Sequence, residues 1–413
     1  MISDALYDLA FQFSQTKLWK KLYDSQLFAV RHADGSIGYC CVMGMMSEYM
    51  ALAVYPGEEG LDTYRKLGLD RSKMRALDAH ENALAQHCAM VAFENKGDLR
   101  PREKKEVSAY CAARGLTPRG RRAYPQFQQC RPHCLPWYLD DPDDQAHLAE
   151  ALEAAIEVDR RLATATPEAL GFTEGPPFDR TIPLLEKIDG AYRWGEMALP
   201  EPLPVAYPSP DVADDLSAAK LAKITKRGGE WVCDVFMHME PILREGSESL
   251  RGGEPKDAPF FPYLLLVLDS QTGMILSVET SKGPEEYAQD FAQVVIQLAV
   301  MGGKPARILV SNERAYALFA RLAERMGAKL VMKPHIPLLE EIEMSFLERF
   351  SQEASETDDD KEQMLEILSD PKTLSEMPDA LLIQLAQMAE MGGLPDGIVR
   401  LLQRECTRRG IPL

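Results

Sequence analysis

The 413-residue chain lacks a long apolar run, has few cysteines and is short of positive charge, and each scarcity excludes a class of protein. Its longest apolar strand-like run, Leu264–Leu268, falls far below the roughly 20 residues that a membrane-spanning helix needs. The N-terminal segment has no basic start, no apolar core and no small-residue cleavage site, so it reads as a mature helix and not as a signal peptide. Eight cysteines spread over the whole length are too sparse for a secreted disulfide scaffold, which leaves free thiols and a cytoplasmic protein as the expectation. With 46 basic against 64 acidic residues, the net charge of -18 disfavours a general nucleic-acid coat and an anionic-membrane binder, both of which need clustered positive charge. Also missing are a Walker loop, a dinucleotide glycine fingerprint, a Gly-x-Ser-x-Gly elbow and a His-Glu-x-x-His pair.

What is present is an ordinary soluble composition, 46% hydrophobic and 27% charged, over a length that suits more than one domain. A helix is predicted at about 3–22. Strands at Leu27–Arg31 and Gly38–Met43 flank Asp34-Gly35, a hairpin signal, and Ala51–Tyr55 completes an antiparallel meander. Helices follow at Gly60–Leu67, Arg75–Cys88, Pro101–Arg114 and Asp144–Leu162, with an Arg-, Pro- and aromatic-rich loop at 116–140. Prolines at 200, 202, 204, 208 and 210 mark an extended connector. A hairpin within it turns at Asp189-Gly190, and the pattern leaves open which side it joins. The expected class is α+β, divided as an N-terminal domain (1–165), a linker with a hairpin (166–210), a second domain (211–350) and a helical tail (351–413). The tail is acidic: beyond residue 339 there are 17 acids and 7 bases.

The second domain reads as βββ-α-β-α-β-α. Its segments Glu230-Trp231-Val232-Cys233-Asp234, Leu266-Val267-Leu268-Asp269 and Gly303-Lys304-Pro305 leading to Ser311-Asn312 resemble the ribonuclease H-like fold of integrase-type enzymes. That resemblance implies acids gathered at the sheet to hold two Mg2+ or Mn2+ ions for phosphodiester chemistry, because hard cations require carboxylate oxygens. The residues it assigns are Asp234, Asp269, Asn312 and Glu340 or Glu341. At the central position the chain departs from the pattern, since Asn312 stands where an Asp is expected and brings no negative charge. Asp269 or Asp290 could substitute. Read without the resemblance, Asp269 suits a hairpin turn, and Glu340, Glu341 and Glu343 suit the acidic first turn of a helix.

Residues 96–131 carry 10 bases against three acids. Arg119, Arg121, Arg122 and Arg131 beside Tyr124 and Phe127 make an anion-binding candidate, with nucleic acid as the ligand such a mixture would take. The plainer reading is a solvated helix face and a loop whose aromatics enter the core. Cys130 and Cys134, with His133 between them and His87-Cys88 upstream, form a weak zinc candidate that lacks a second clean pair.

The run Val42-Met43-Gly44, then Leu52-Ala53-Val54-Tyr55-Pro56-Gly57 and Gly60-Leu61, is similar to an uncharacterised bacterial two-domain family of unknown function. It transfers no activity. The expectation is a non-catalytic binding or adaptor protein with a degenerate ribonuclease H-like domain, no cofactor and a protein partner. The alternative is a nuclease or polynucleotidyl transferase dependent on Mg2+ or Mn2+.

Overall fold

Asp34 and Gly35 close the first hairpin as their types dictate. Asp34 Oδ1 accepts the Ser36 N–H at 2.8 Å, and Gly35 takes φ +88°, open to glycine without strain. The strands they join, β1 (Phe28–Arg31) and β2 (Ile37–Met43), pair antiparallel. The computed structural model describes residues 1–45, 49–173, 180–212, 215–244, 246–247, 254–345, 382 and 396–409.

The meander extends through β3 (Ala51–Pro56), β4 (Cys88–Glu94), β5 (Tyr124–Cys130) and β6 (Trp137–Tyr138). Helices α1 (Asp4–Thr16), capped by the Ser3 hydroxyl, and α5 (Pro142–Leu162), capped by Asp141, cover one face. Helix α2 (Gly57–Leu67) lies against the other through Leu61, and α4 (Pro101–Arg114) fills the β4–β5 connection. Two sequence expectations need correction here. The helix expected at Arg75–Cys88 is α3 (Ala76–Leu84) and stops four residues earlier, and the expected loop at 116–140 contains β5 and β6. Cys88–Phe93 is buried at every position, and a short apolar run of that kind has no period to separate strand from helix. In β5, Gln126 and Gln128 are buried, so the pattern of alternating apolar residues is hidden.

The hairpin inside the Pro-rich segment consists of β7 (Thr181–Ile188) and β8 (Ala191–Ala198). It turns at Asp189 and Gly190, both at positive φ. It joins the first sheet, with β7 parallel to β1, giving the order β6-β5-β4-β3-β2-β1-β7-β8.

After α6 (Asp215–Lys223) comes a second, mixed sheet of β9 (Glu230–Met237), β10 (Tyr263–Asp269), β11 (Ile275–Thr280), β12 (Arg307–Val310) and β13 (Lys329–Met332). The order is β11-β10-β9-β12-β13. The central β10 is antiparallel to both β9 and β11, and β12 is parallel to both β9 and β13. Trp231, Cys233, Val235 and Met237 face α7 (Tyr287–Gly302) and α8 (Glu313–Met326). The opposite face presents Val232, Phe236, Leu264, Leu266, Leu268 and Leu309. It is covered by Ile336 and Leu339, around the start of a helix at 337–345 (α9), and by Leu77 of α3 from the first domain. The first domain therefore supplies part of the second domain's core. Of the tail, α10 (Asp396–Arg409) is described, and the acidic stretch at 356–360 lies outside the described residues.

Candidate functional site

On the face shared with α3, one strand position that should be apolar is not. Asp234 falls between Val232 and Phe236 in the alternation of β9, directly across from Leu266 of β10, and has no exposed surface. A buried carboxylate survives only with partners, and three elements bring them. Arg75, at the N-cap of α3, places Nη1 at 2.7 Å from Asp234 Oδ2, 3.0 Å from Glu343 Oε1 of α9 and 3.3 Å from Ser311 Oγ. The rest of the guanidinium is held from its own helix by Asp78, whose two oxygens accept from Nε at 3.0 Å and Nη2 at 2.9 Å. Asn312 donates from Nδ2 to Asp234 Oδ1, while its own Oδ1 caps α8 by accepting the Ala315 N–H at 2.7 Å.

The two acids share the site unequally. Burial acts to raise Asp234, but the hydrogen bond from Glu343, the Arg75 guanidinium and Ser311 overcome it and hold that carboxyl below its ordinary value. Glu343 moves the other way: burial pushes it up, and the adjacent Asp234 adds to the shift through its hydrogen bond and its charge. The result is an ionised Asp234, a protonated Glu343 bonded to it, and a guanidinium against both.

Of the residues predicted for metal chemistry, Asp234 and Asn312 meet. Asp269 does not join them: it pairs with Trp231, three positions along β9 from Asp234, and its parity on β10 is opposite to that of Leu266. Its Oδ1 instead accepts the N–H groups of Gln271 and Thr272 in the turn, at 3.1 and 2.8 Å. Asp290 accepts the Lys282 N–H at 3.2 Å. Glu340 and Glu341 are exposed, Glu340 facing His335 at 3.2 Å. The acid that turns inward is Glu343, and the signal for it was its spacing, four residues after the buried Leu339. Arg75 had no such signal, since it lies 159 residues from Asp234.

This donor set does not fit Mg2+ or Mn2+ as it stands. The Asn312 oxygen is committed to a helix cap, Glu343 holds a proton against Asp234, and a cation already bridges the acids. Among the described residues no group of three or more His, Cys, Asp or Glu side chains is placed to hold a metal ion.

A second polar cluster lies further along α3. Glu81 accepts from Arg314 Nη1 of α8 at 2.8 Å and from the Tyr263 hydroxyl at 2.9 Å, and His133 Nε2 is 3.2 Å from the same hydroxyl. The Arg314 guanidinium stacks over Tyr263 at 4.4 Å and Tyr207 at 5.1 Å. Burial lowers His133 to about 4, so it is neutral here. Arg75, Asp78 and Glu81 thus recur every third residue along the face that α3 turns to the second domain.

The arginines proposed for anion binding do not form one patch. Arg119, Arg121 and Arg122 precede β5 and Arg131 follows it, so the length of the strand, roughly 20 Å, separates the two ends. Arg119 and Arg121 are exposed, the Arg122 N–H is held by Asn95 Oδ1 at 3.0 Å, and Arg131 pairs with Asp144. Cys130 of the zinc candidate lies opposite Cys88 across the sheet, and Cys134 sits in a separate bridge to Phe260.

Residues 4–177 match the family model described as Domain of unknown function (DUF7309), and residues 217–347 match that of Domain of unknown function (DUF6930). The two matches support a two-domain chain of uncharacterised families. No curated protein and no solved structure matches it. Among the described residues no helix is long and apolar enough to cross a membrane.

Proposed function

We propose that this chain is a non-catalytic binding or adaptor protein whose second domain is a degenerate member of the ribonuclease H-like class. One observation carries the reading: the Arg75 guanidinium, supplied by the first domain, lies against Asp234 and Glu343, where a nuclease of that class would need its cation. The sheet order, with β10 antiparallel between β9 and β11 and β12 parallel to β9, supports the class assignment. Asn312 supports its degeneracy, because an amide turned nitrogen-first toward Asp234 offers a cation nothing.

The convergence of Asp234, Asn312 and Glu343 from β9, the β12–α8 junction and α9 also favours a second reading, a phosphodiester enzyme that works only once Arg75 is withdrawn. Calorimetric titration of the full chain with millimolar Mn2+, paired with a plasmid-nicking assay, separates the two. The binding reading expects no saturable heat and no nicking. Nicking by the wild-type chain that Asp234→Ala abolishes would overturn it, and nicking that appears only in Arg75→Ala would establish the second reading in its place.

A further inference from the structure

Cys88 opens β4 and Cys130 closes β5, and the two are direct partners in the antiparallel register. Both side chains are buried in the cluster on one face of the sheet that also holds Tyr55 of β3. Residues opposed in this way have Cα atoms about 4.5–5.5 Å apart, inside the range of about 4.4–6.8 Å that a disulfide spans. Their Cβ atoms must close by only roughly 1 Å, which strand ends can absorb. We propose that Cys88 and Cys130 form a reversible dithiol–disulfide site, oxidised by peroxide, at the base of the loops that dock the second domain.

The chemistry divides between the two sulfurs. Cys130 is the nucleophile: it is the more exposed, at 8% against 2% for Cys88, and the Cys88 thiol and then the neighbouring Arg131 favour its thiolate despite burial. The Cys130 thiolate attacks one oxygen of hydrogen peroxide, the O–O bond breaks, and the departing hydroxide takes a proton to become water, leaving a sulfenic acid. Cys88 sulfur then attacks the Cys130 sulfur, the S–O bond breaks, and the hydroxide leaves with the Cys88 proton as a second water. Two thiols give up two electrons in all, and one peroxide is reduced to two waters.

The location gives the bond a consequence. The chain before Cys88 and the chain after Cys130 are tied together where His133 N–H donates to Leu84 O at 2.9 Å. The same loop then reaches the second domain, through Leu135 N–H to Pro259 O at 2.9 Å and Phe261 N–H to His133 O at 2.7 Å. A Cys88–Cys130 bond would clamp the strand ends from which this contact departs. Cys40 and Cys41, adjacent in one strand, point to opposite faces and cannot pair this way.

The test treats the full chain with a few equivalents of hydrogen peroxide, alkylates the remaining thiols in denaturant, and maps peptides by mass spectrometry. The expected product has lost two hydrogens, carries six alkylated cysteines of the eight, and yields one cross-linked peptide pair containing positions 88 and 130, released by dithiothreitol. Cys88→Ala should instead leave a sulfenic acid at Cys130 that dimedone captures. Cys130→Ser should show neither cross-link nor dimedone adduct at position 88. Overoxidation of a single cysteine without a cross-link in the wild-type chain, or a link from Cys88 to Cys41, would overturn the proposal. The wild-type peptide map stands on its own should either variant fail to fold.

Discussion

Arg75 Nη1 lies 2.7 Å from Asp234 Oδ2, so a helix cap of the first domain neutralises a carboxylate with no exposed surface in the second. The attraction offsets the desolvation of both charges only while both are present, because a lone buried charge keeps its full penalty. Arg75→Ala should therefore destabilise the chain by about 3–5 kcal/mol, the range for breaking a buried pair from one side. Asp234→Asn should cost less, since Arg75 retains Asp78 and Glu343. The double variant should cost less than the sum of the single ones. Urea unfolding of the full chain measures all three. A loss for Arg75→Ala no larger than that of an exposed arginine would refute the pairing as a source of stability.

The protonated Glu343 gives the same site a pH dependence of opposite sense to the usual carboxylate. Burial and the Asp234 charge raise Glu343 above its unfolded value, so between that value and the folded one the native state binds a proton that the unfolded chain has lost. Stability from this group falls as pH rises, by up to about 1.4 kcal/mol per pH unit. Asp234, held low, acts only in acid: its contribution is present above its unfolded value near about 3.9 and disappears as pH falls through the folded one. Glu343→Gln keeps a donor toward Asp234 without needing a proton. The stability difference between Glu343→Gln and wild type should shift in favour of glutamine from pH 5 to pH 8. A difference that is flat over that range would show that Glu343 is ionised.

His133 makes the opposite contribution. Burial lowers it to about 4, with Arg314 adding and Glu81 opposing, so the native state refuses a proton that the unfolded chain accepts below about 6.5. The stability contributed by this group should fall as the pH drops from 6.5 toward 4, by up to about 1.4 kcal/mol per unit, against the opposite slope of Glu343. His133→Gln should remove that contribution, leaving those of His32, His80 and His87, which burial also lowers. Parallel wild-type and variant curves would mean that His133 titrates as if exposed.

The second domain was the more legible part of the sequence. Strands and helices there alternate with glycines at their ends, as at Gly273 and Gly327, and β12, α8 and β13 begin and end where the pattern places them. Asp234 was singled out by the resemblance of Glu230–Asp234 to the first strand of integrase-type enzymes. Glu343 was hidden beside Glu340 and Glu341, which composition alone cannot rank: its i, i+4 partner Leu339 lies inside the helix, whereas Ile336, four residues before Glu340, precedes it. The first domain was harder. Gln126 serves the core of β5 by donating to the buried Glu103 at 2.8 Å, a tertiary pairing that makes a strand look like a polar loop. Arg75 was beyond reach for a stronger reason. Its role exists only once α3 lies on the other domain's sheet, and no local period encodes that placement.

Close packing makes one further residue testable, Gly38 of β2. A Cβ there would come 2.4 Å from His32 Nε2 and 2.8 Å from Val54 Cγ1. His32 cannot retreat, because its Nδ1 is held at 2.6 Å by Glu150 Oε2 and its ring lies on that of His147 at a centroid distance of 4.1 Å. Gly38→Ala should cost about 1–3 kcal/mol, the usual price of overfilling a packed core. The penalty should shrink in a His32→Ala background, where the obstructing ring is gone. Gly97→Ala, with nothing within 4 Å of its added carbon, is the matched control and should sit close to wild type. If the Gly38 and Gly97 variants unfold at the same urea concentration, the imidazole does not confine this strand, and the stacked His32–His147 pair is free to move.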